Sequence, residues 1–474
     1  MFDCNGYIVL LFYMEISHQT KLQHLYWRAG FGITYPELKH LHNRKIRMVV
    51  DDLLEDSDFI PTLTIETDYK PIRKKELSTK ERRAFDEKTH ETFQLMQQQW
   101  VDRMSSGKGR LRERMILFWH NHFACRMENP LLMVRFHNTI AQNALGNFRV
   151  MLTEISKEPA MLAFLNNRKN KKAHPNENFA RELMELFTRG RGNYTESDVA
   201  EAARAFTGWT YQEDFNFFVH QKQHDDGIKT VLGKTGNLDG EDIINILLDK
   251  RETAEFISRK VYSEFVNHVP YEPHIQQMAD VFYRDFDIGS LMHFIFTAEW
   301  FYNIENIGAV IKSPVALLAG INRQVGVQFK DAASCLKIQK ALGQVLFFPP
   351  NVAGWPGGRS WIDSNTLMLR MRLASALLNN GEIDMIIEDE VMHDEMMAME
   401  ESKPVSVLKK IEAVPDWNGF LKDIPENIDK EELSHFLIHT GLKESAQQML
   451  RYLKGNRIKE LVVDIMSLPE YQLS

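Results

Sequence analysis

Apolar side chains recur at helical spacing through most of this 474-residue chain. Between residues 79 and 104, for example, Phe93, Met96, Trp100 and Met104 fall on one face of a helix, and charged residues occupy the other faces. This spacing is typical of an amphipathic helix that buries one side. The pattern therefore predicts a mainly α fold, in the form of one large multi-helical domain.

Two stretches carry the signals that start a helix. In "ITYPEL", Thr34 can cap a helix whose third residue is Glu37. In "YTESDVAEAARAF", Thr195 is followed at the same interval by Asp198. A Thr cap with an acidic residue three positions later lets each side chain bond the backbone N–H of the other residue. We expect helices to begin at both positions.

One stretch interrupts the helical pattern. Within residues 209–233, Phe215, Phe217 and Val219 alternate with other residues, and Asp226-Gly227 follows as a turn signal. Alternation on both sides of an Asp-Gly pair is typical of a β-hairpin. We therefore predict one small β-hairpin inserted between helices.

Changes in composition divide the chain into four parts. Residues 382–401 contain nine acidic residues and no Lys or Arg, which is typical of a solvated segment. We predict an N-terminal extension over 1–19, a helical core over 20–381, an acidic mobile segment over 382–404, and C-terminal helices over 405–474 that pack on the core.

Charge and composition argue against several classes of protein. The formal net charge is −8, whereas a general nucleic-acid binder needs a basic surface. No apolar run approaches the roughly 18 residues of a membrane span. The three cysteines lack CxxC spacing, which favours a reducing compartment. The apolar "YIVLLFYM" near the start has no Lys or Arg before it and no small-residue cleavage site after it, so we expect a cytoplasmic protein.

The stretch "NENFARELMEL", residues 176–186, carries the densest group of candidate site residues. On a helix, Glu177, Arg181 and Glu185 form a ladder at i, i+4 and i+8. One interpretation is a surface helix held by these ion pairs, which are common. The other is a cleft in which Glu182 is an acid, a base or a metal ligand and Arg181 holds an anion.

Two histidines are further candidates. His122 falls on the apolar stripe of "RMILFWHNHFACR", so we expect it inside, where a His is either a hydrogen-bonded core residue or a ligand. His224 precedes Asp225 in "HDDGIK", and a His beside a carboxylate is a usual element of acid–base or metal chemistry. A structural role for this pair is equally open.

Several motifs, in this order, resemble one bacterial family. They are "HLYWRAGFGITYPEL", "FWHNHF", "PNENFARELMELFTRGRGNYTESDVAEAARAFTGW", "HDDGIKTVLG", "KSPVALL", "GQVLFFPPNVAGWPGGRSWI" and the closing "LPEYQLS". They are similar to the successive signatures of the family called domain of unknown function 1800. The likeness runs from about His24 to the C-terminus.

The resemblance implies a largely helical domain but no settled activity. It also implies frequent gene neighbourhood with a family called domain of unknown function 1501, which is similar to sulfatases and alkaline phosphatases. A protein of that family is therefore a candidate partner. Export is common among the relatives, and the cytoplasmic location expected here departs from it. The family often has His where this chain has Phe187, so a mechanism that needs a ligand or base there fails in this chain.

Two hypotheses from different classes follow. In the first, the chain is a hydrolase or group-transfer enzyme for an anionic or sugar-like substrate, with a divalent metal as the candidate cofactor. Its cleft would be surrounded by His122, Arg181, Glu182, His224 and Asp225. In the second, the chain is a non-catalytic helical scaffold or binding partner, and the same polar residues form buried networks that fix the fold. Convergence of these side chains beside an open pocket would distinguish the two.

Overall fold

The computed structural model describes residues 16–65, 77–379, 382–383, 409–452 and 457–474. The apolar stretch near the start of the chain lies outside these residues. So does nearly all of the acidic segment that the sequence predicts to be mobile.

The described residues form 21 α-helices, and the mainly α fold predicted from the sequence is confirmed. The first ten are α1 (His18–Arg28), α2 (Tyr35–Leu41), α3 (Ile46–Asp56), α4 (Thr79–Ser106), α5 (Arg110–His122), α6 (Pro130–Asn143), α7 (Phe148–Lys157), α8 (Pro159–Phe164), α9 (Asn178–Glu182) and α10 (Glu196–Ala205). The others are α11 (Gly240–Leu248), α12 (Arg251–Phe265), α13 (Glu272–Phe282), α14 (Ile288–Thr297), α15 (Pro314–Val325), α16 (Ala332–Ala341), α17 (Ser364–Leu378), α18 (Trp417–Asp423), α19 (Lys430–Leu437), α20 (Glu444–Tyr452) and α21 (Ile458–Met466). In this described part, no helix combines the length and the apolar character needed to cross a membrane.

Shorter helical turns connect some of these helices. A π-helical turn, Leu183–Thr188, continues directly from α9. The 3-10 turns are Asn167–Lys169, Gln221–Gln223, Glu299–Tyr302, Gly358–Trp361 and Pro469–Gln472.

Both predicted helix starts are confirmed. At the start of α2, Thr34 N donates to Glu37 Oε2 at 2.9 Å. At the start of α10, Thr195 N donates to Asp198 Oδ2 at 2.9 Å, and Asp198 N donates to Thr195 Oγ1 at 3.2 Å. These bonds satisfy backbone N–H groups that the first turn of a helix leaves without partners.

Short strands pair into four two-stranded antiparallel sheets within the described ranges. The pairs are β1 (Trp209–Tyr211) with β2 (Phe217–Val219), β3 (Lys229–Val231) with β4 (Lys234–Gly236), β5 (Val327–Phe329) with β8 (Ala413–Pro415), and β6 (Glu382–Ile383) with β7 (Lys409–Lys410).

Two hairpins occur where one was predicted over 209–233: the second ends at Gly236, beyond those bounds, and Asp226-Gly227 is not the turn of either. Val231 pairs with Lys234, so the second hairpin turns at Leu232 and Gly233. Both turn residues have positive φ, 49° and 81°, which a two-residue turn needs to match the twist of its strands. Leucine rarely adopts that conformation, so its presence did not mark the turn in the sequence.

The two ends of the described chain meet in the core. One hydrophobic core contains both Leu22 of α1 and Tyr471 near the end of the chain. Val310 and Ser474 exchange backbone hydrogen bonds of 3.3 and 2.8 Å, and Lys312 N donates to Gln472 O at 2.9 Å. The segment before α15 is therefore fastened to the last residues of the chain.

Candidate functional site

The predicted site residue Glu182 lies where α9 passes into the π-helical turn Leu183–Thr188. In this turn Arg189 N donates to Met184 O, five residues back, at 2.8 Å. A π-helical turn holds one more residue than an α-helical turn and rotates the residues that follow it. Glu185 is therefore displaced from the i, i+4, i+8 ladder predicted for it.

Arg181 is the centre of a surface ion-pair group. Its guanidinium donates to Glu177 at 2.9 Å and to Glu196 at 2.7 Å, which joins the start of α9 to the start of α10. Glu185, the predicted third member of the ladder, instead accepts a hydrogen bond from Tyr194 at 2.7 Å. Arg181 would have to exchange these partners before it could hold an anionic substrate.

Glu182 is a half-buried carboxyl that has no hydrogen-bond or ion-pair partner among the described residues. Burial raises its pKa, and the negative charge of Glu185 raises it further. A carboxyl with a raised pKa suits a general acid. A role for Glu182 as an acid stays a prediction.

His122 is buried, as the apolar stripe of α5 predicted. Its Nε2 donates to Phe187 O at 3.1 Å, because a carbonyl oxygen can only accept. Nδ1 is then the acceptor, and Lys260 Nζ donates to it at 3.1 Å. Lys260 also donates to Leu186 O at 3.3 Å. The two side chains thus satisfy carbonyl groups that the end of the helical segment leaves open.

Burial changes the titration of both groups. The pKa of His122 lies well below its ordinary value because the ring is buried and Lys260 adds a nearby positive charge. Burial also lowers the pKa of Lys260 to about 8. Sequence reasoning missed Lys260, which sits in an unremarkable amphipathic helix.

His224 and Asp225 fasten a loop to the end of α10. His224 Nδ1 donates to Thr207 O at 2.8 Å. Arg204 Nε donates to Asp225 Oδ2 at 2.8 Å, and this ion pair lowers the pKa of Asp225 to about 2. Asp225 N also donates to Thr207 Oγ1 at 2.8 Å. These contacts give both His224 and Asp225 a structural role, which is one of the two interpretations drawn from the sequence.

The contacts of the five predicted residues lead to different partners. Arg181 reaches Glu196, His122 reaches Lys260, and Asp225 reaches Arg204. In the ranges that the structure describes, no group of three or more His, Cys, Asp and Glu side chains could hold a metal ion. A single cleft formed by all five residues stays a prediction.

A second polar group lies in the core where the two ends of the described chain meet. We call it the basic cluster, and its members are His24 and Arg28 of α1, Lys312 before α15, Arg370 of α17 and His439 after α19. Their exposed fractions are 0, 0, 2, 1 and 5%, respectively. Arginine and lysine side chains are almost never buried this deeply unless they are paired.

The lysine and both arginines of the basic cluster donate to backbone carbonyls. Arg28 Nη2 donates to Asn306 O at 2.9 Å, and Lys312 Nζ donates to Tyr471 O at 2.6 Å. Arg370 Nη2 donates to Lys312 O at 2.6 Å. The cations thus hold the segment before α15 and the end of the chain in place.

Many other polar atoms of the basic cluster have no hydrogen-bond partner in the described part of the chain. They are Nε and Nη1 of Arg28 and of Arg370, both ring nitrogens of His24, and Nε2 of His439. A buried polar group without a partner costs about 1–3 kcal/mol. The cluster therefore contains hydrogen-bonding capacity that the protein itself does not use.

Burial and mutual repulsion disfavour the charged forms of the basic cluster. Burial, followed by repulsion from neighbouring Arg114, lowers the pKa of Arg28 to about 9. Burial, followed by repulsion from Arg370, holds the pKa of Lys312 well below its ordinary value. The carboxylate that favours the charged form of Arg28 belongs to Glu264, which is itself paired with Arg114 at 2.9 Å.

A surface cleft of about 390 Å³ has one member of the basic cluster, His439, in its lining. Its lining comes from α1, α19 and the residues beside them: Ser17, Gln19, Thr20, Gln23, Asp429, Glu431, Glu432, His435 and His439. The centroid of the His24 ring lies 6.0 Å from that of His439. The volume is at the lower end of the range for small-molecule sites.

Sequence reasoning missed the basic cluster, although several of its members belong to the motifs that resemble the family. His24 and Arg28 belong to "HLYWRAGFG", and Lys312 begins "KSPVALL". The available signal was a cationic residue next to an apolar run. Such a residue suggests burial, but it does not identify the other members of a cluster.

Comparisons with known proteins give a family match. The model of the family described as "Protein of unknown function (DUF1800)" matches residues 24–473. No curated protein and no solved structure matches the chain.

Proposed function

Since the chain belongs to the DUF1800 family, whose description names no function, we propose a function from its own residues: the protein binds an anionic ligand at the basic cluster. The observation that carries this proposal is a buried group of cations that donate to backbone carbonyls rather than to carboxylates. Buried charges are costly unless a group of opposite charge accompanies them. A bound anion would supply that charge.

The unused donors support the same proposal. Among the residues that the structure describes, Nε and Nη1 of Arg28 and of Arg370 have no partner, while Nη2 of each holds the backbone. Hydrogen bonds from guanidinium groups to phosphate or carboxylate oxygens are about twice as strong as neutral ones. A ligand that reaches these donors could therefore bind without releasing the protein segments that the arginines hold.

Anion binding agrees with both hypotheses drawn from the sequence. It suits a scaffold or binding partner, for which association with a protein of the domain of unknown function 1501 family stays a prediction. It also suits an enzyme with an anionic substrate. Glu182, whose pKa is raised by burial, stays the candidate acid of such an enzyme.

The test is anion binding by the full chain and by variants of the basic cluster. Phosphate and sulfate are titrated by calorimetry at constant ionic strength, because these salts also stabilise proteins without binding to a site. We expect Arg370→Met to lower the affinity by roughly 10- to 100-fold, since a charge-assisted hydrogen bond contributes about 1.5–3 kcal/mol. Lys312→Met is the second variant, in case Arg370→Met does not fold.

Arg181→Gln is the matched control, because it removes a guanidinium from the surface group predicted from the sequence. This variant should bind phosphate as tightly as the wild type does. Loss of binding in Arg181→Gln, with binding retained in Arg370→Met, would place the anion at α9 and overturn the proposal. Equal binding by the wild type and all the variants would also overturn it.

A further inference from the structure

The mouth of the cleft that leads to His439 is negatively charged. Asp429, Glu431 and Glu432 line it, together with neutral polar residues and His435. Glu432 is partly neutralised, because Lys39 donates to it at 3.1 Å. Glu431 is exposed to solvent beside it. A simple anion that enters the cleft must therefore pass carboxylates.

The inner end of the same cleft, at His439, has positively charged side chains behind it. His439 lines the cleft, yet it is only 5% exposed and its Nε2 is buried without a hydrogen-bond partner in the described chain. Its ring therefore spans the boundary between the cleft and the interior. On the interior side, the positive charges of Lys312 and Arg28 act on the ring. The cleft is thus negative at its mouth and positive behind its floor.

On the basis of the proposed function, we propose that the ligand is a small zwitterion. Its carboxylate or phosphate group contacts His439 and is attracted by Arg28 and Lys312 behind that ring. Its ammonium or guanidinium group lies at the mouth, beside Glu431 and Asp429. This orientation makes the electrostatic energy favourable at both ends, whereas a simple anion or a simple cation is repelled at one of them.

The size of the cleft limits the ligand further. A volume of about 390 Å³ accommodates a molecule of amino-acid size but not a large ligand. Two sources offer the required chemistry: a basic amino acid such as arginine, and a phosphorylated amine such as phosphoethanolamine. They share a cationic end and an anionic end, and they differ in whether the anion is a carboxylate or a phosphate.

The test compares whole zwitterions with their halves on the full chain. Arginine and phosphoethanolamine are titrated beside agmatine, which lacks the carboxylate, and inorganic phosphate, which lacks the amine. We expect one of the two zwitterions to bind about tenfold more tightly than either half, because it makes one further charged contact. The tighter of the two identifies the anionic group.

The outcomes separate this inference from the proposed function. If phosphate binds and neither zwitterion binds more tightly than phosphate, the zwitterion proposal is overturned and the anion site stands. If phosphate and both zwitterions fail to bind, both proposals are overturned. If agmatine binds as tightly as arginine and phosphoethanolamine binds no more tightly than phosphate, the zwitterion proposal is overturned, and phosphate binding alone decides the anion site.

A variant at the mouth gives a second test, in which the two ligands respond in opposite directions. Glu431→Gln should weaken binding of the zwitterion about threefold, the range of an exposed ion pair. The same variant should bind phosphate somewhat more tightly, because a repulsive charge is removed. Glu87→Gln, at an exposed carboxylate of α4, is the matched control and should change neither affinity. A change in the same direction for both ligands would contradict the division of charge along the cleft.

Discussion

Lys260 and Lys312 are held by backbone carbonyls and aromatic rings, and neither forms an ion pair with a carboxylate in the described residues. Lys312 Nζ lies 3.3 Å from the centroid of the Trp27 ring and 4.1 Å from that of Tyr471. Lys260 Nζ lies 5.2 Å from the centroid of the Phe256 ring. Rings and carbonyls stabilise an ammonium group less than water does, so the pKa of each lysine is lowered.

The shifted pKa of Lys260 predicts a dependence of stability on pH. The pKa is about 10.5 in the unfolded chain and about 8 in the folded one. Between these values the unfolded chain binds a proton that the folded chain does not, so the free energy of unfolding rises with pH. Below about pH 8 both states are protonated, and Lys260 contributes no slope.

The measurement is urea unfolding of the wild type and of Lys260→Met between pH 7 and the upper end of this window. The difference between the two proteins removes the contribution of every other titrating group. We expect the free energy of unfolding of the wild type to rise relative to that of Lys260→Met as pH rises above about 8. A difference that stays constant would refute the lowered pKa.

Helices and turns could be predicted from the sequence where a few consecutive residues mark them. The helix starts at Thr34 and Thr195 were found because a capping box occupies four consecutive residues. The π-helical turn after Glu182 was not found, because its apolar residues have the spacing of an ordinary α-helix, and the ladder to Glu185 failed for that reason. The turn at residues 232–233 was missed because its first residue is a leucine, which favours other backbone conformations.

The second hairpin predicts a difference between two glycine substitutions. Gly233 has φ +81°, Gly357 has φ −104°, and a Cβ at either position would meet nothing within 4 Å. An alanine in the left-handed region is strained by about 1–2 kcal/mol. Gly233→Ala should therefore be less stable than Gly357→Ala by about that amount. Both changes restrict the unfolded chain equally, so the comparison isolates the turn.

Denaturant unfolding of the two glycine variants measures this difference. Circular dichroism before unfolding serves to verify that both variants keep the helical fold. Equal free energies of unfolding would mean that residue 233 does not hold a positive φ in solution.

The basic cluster exists only at the scale of the whole molecule. Its members come from α1, the segment before α15, α17 and the residue stretch after α19. Local spacing predicts faces of helices, and motif order predicts the family, but neither relates His24 to His439. That relation arises because the core brings the first helix against the end of the chain. The same limit explains why Lys260 was missed as a partner of His122.

Trp27 and Tyr471 should be energetically coupled across the contact between α1 and the end of the chain. Their ring centroids are 6.1 Å apart at an interplanar angle of 88°, and Lys312 Nζ lies over both rings. Residues that share a partner show coupling energies of about 0.5–3 kcal/mol. We therefore expect Trp27→Phe and Tyr471→Leu together to destabilise the protein by less than the sum of the single variants.

The control for this cycle pairs Trp27→Phe with Gly233→Ala. In the described part of the chain nothing lies within 4 Å of a Cβ added at Gly233, so the two changes share no contact there. Their effects on the free energy of unfolding should add to within about 0.5 kcal/mol. If the effects of Trp27→Phe and Tyr471→Leu on the free energy of unfolding also add, the contact between α1 and the end of the chain does not couple the two residues.

The meeting of α1 with the end of the chain also imposes a delay during synthesis. Gln23 of α1 donates to Phe436 O, in a residue that lies 413 positions later. At about 5–20 residues per second, a ribosome needs roughly 20 to 80 s to cover that interval. For all of that time α1 lacks the neighbours that α19 supplies, and the part of its apolar face that they cover is a substrate for chaperones. The proposed anion site, which includes His439, would therefore be assembled late, when most of the chain has already been made.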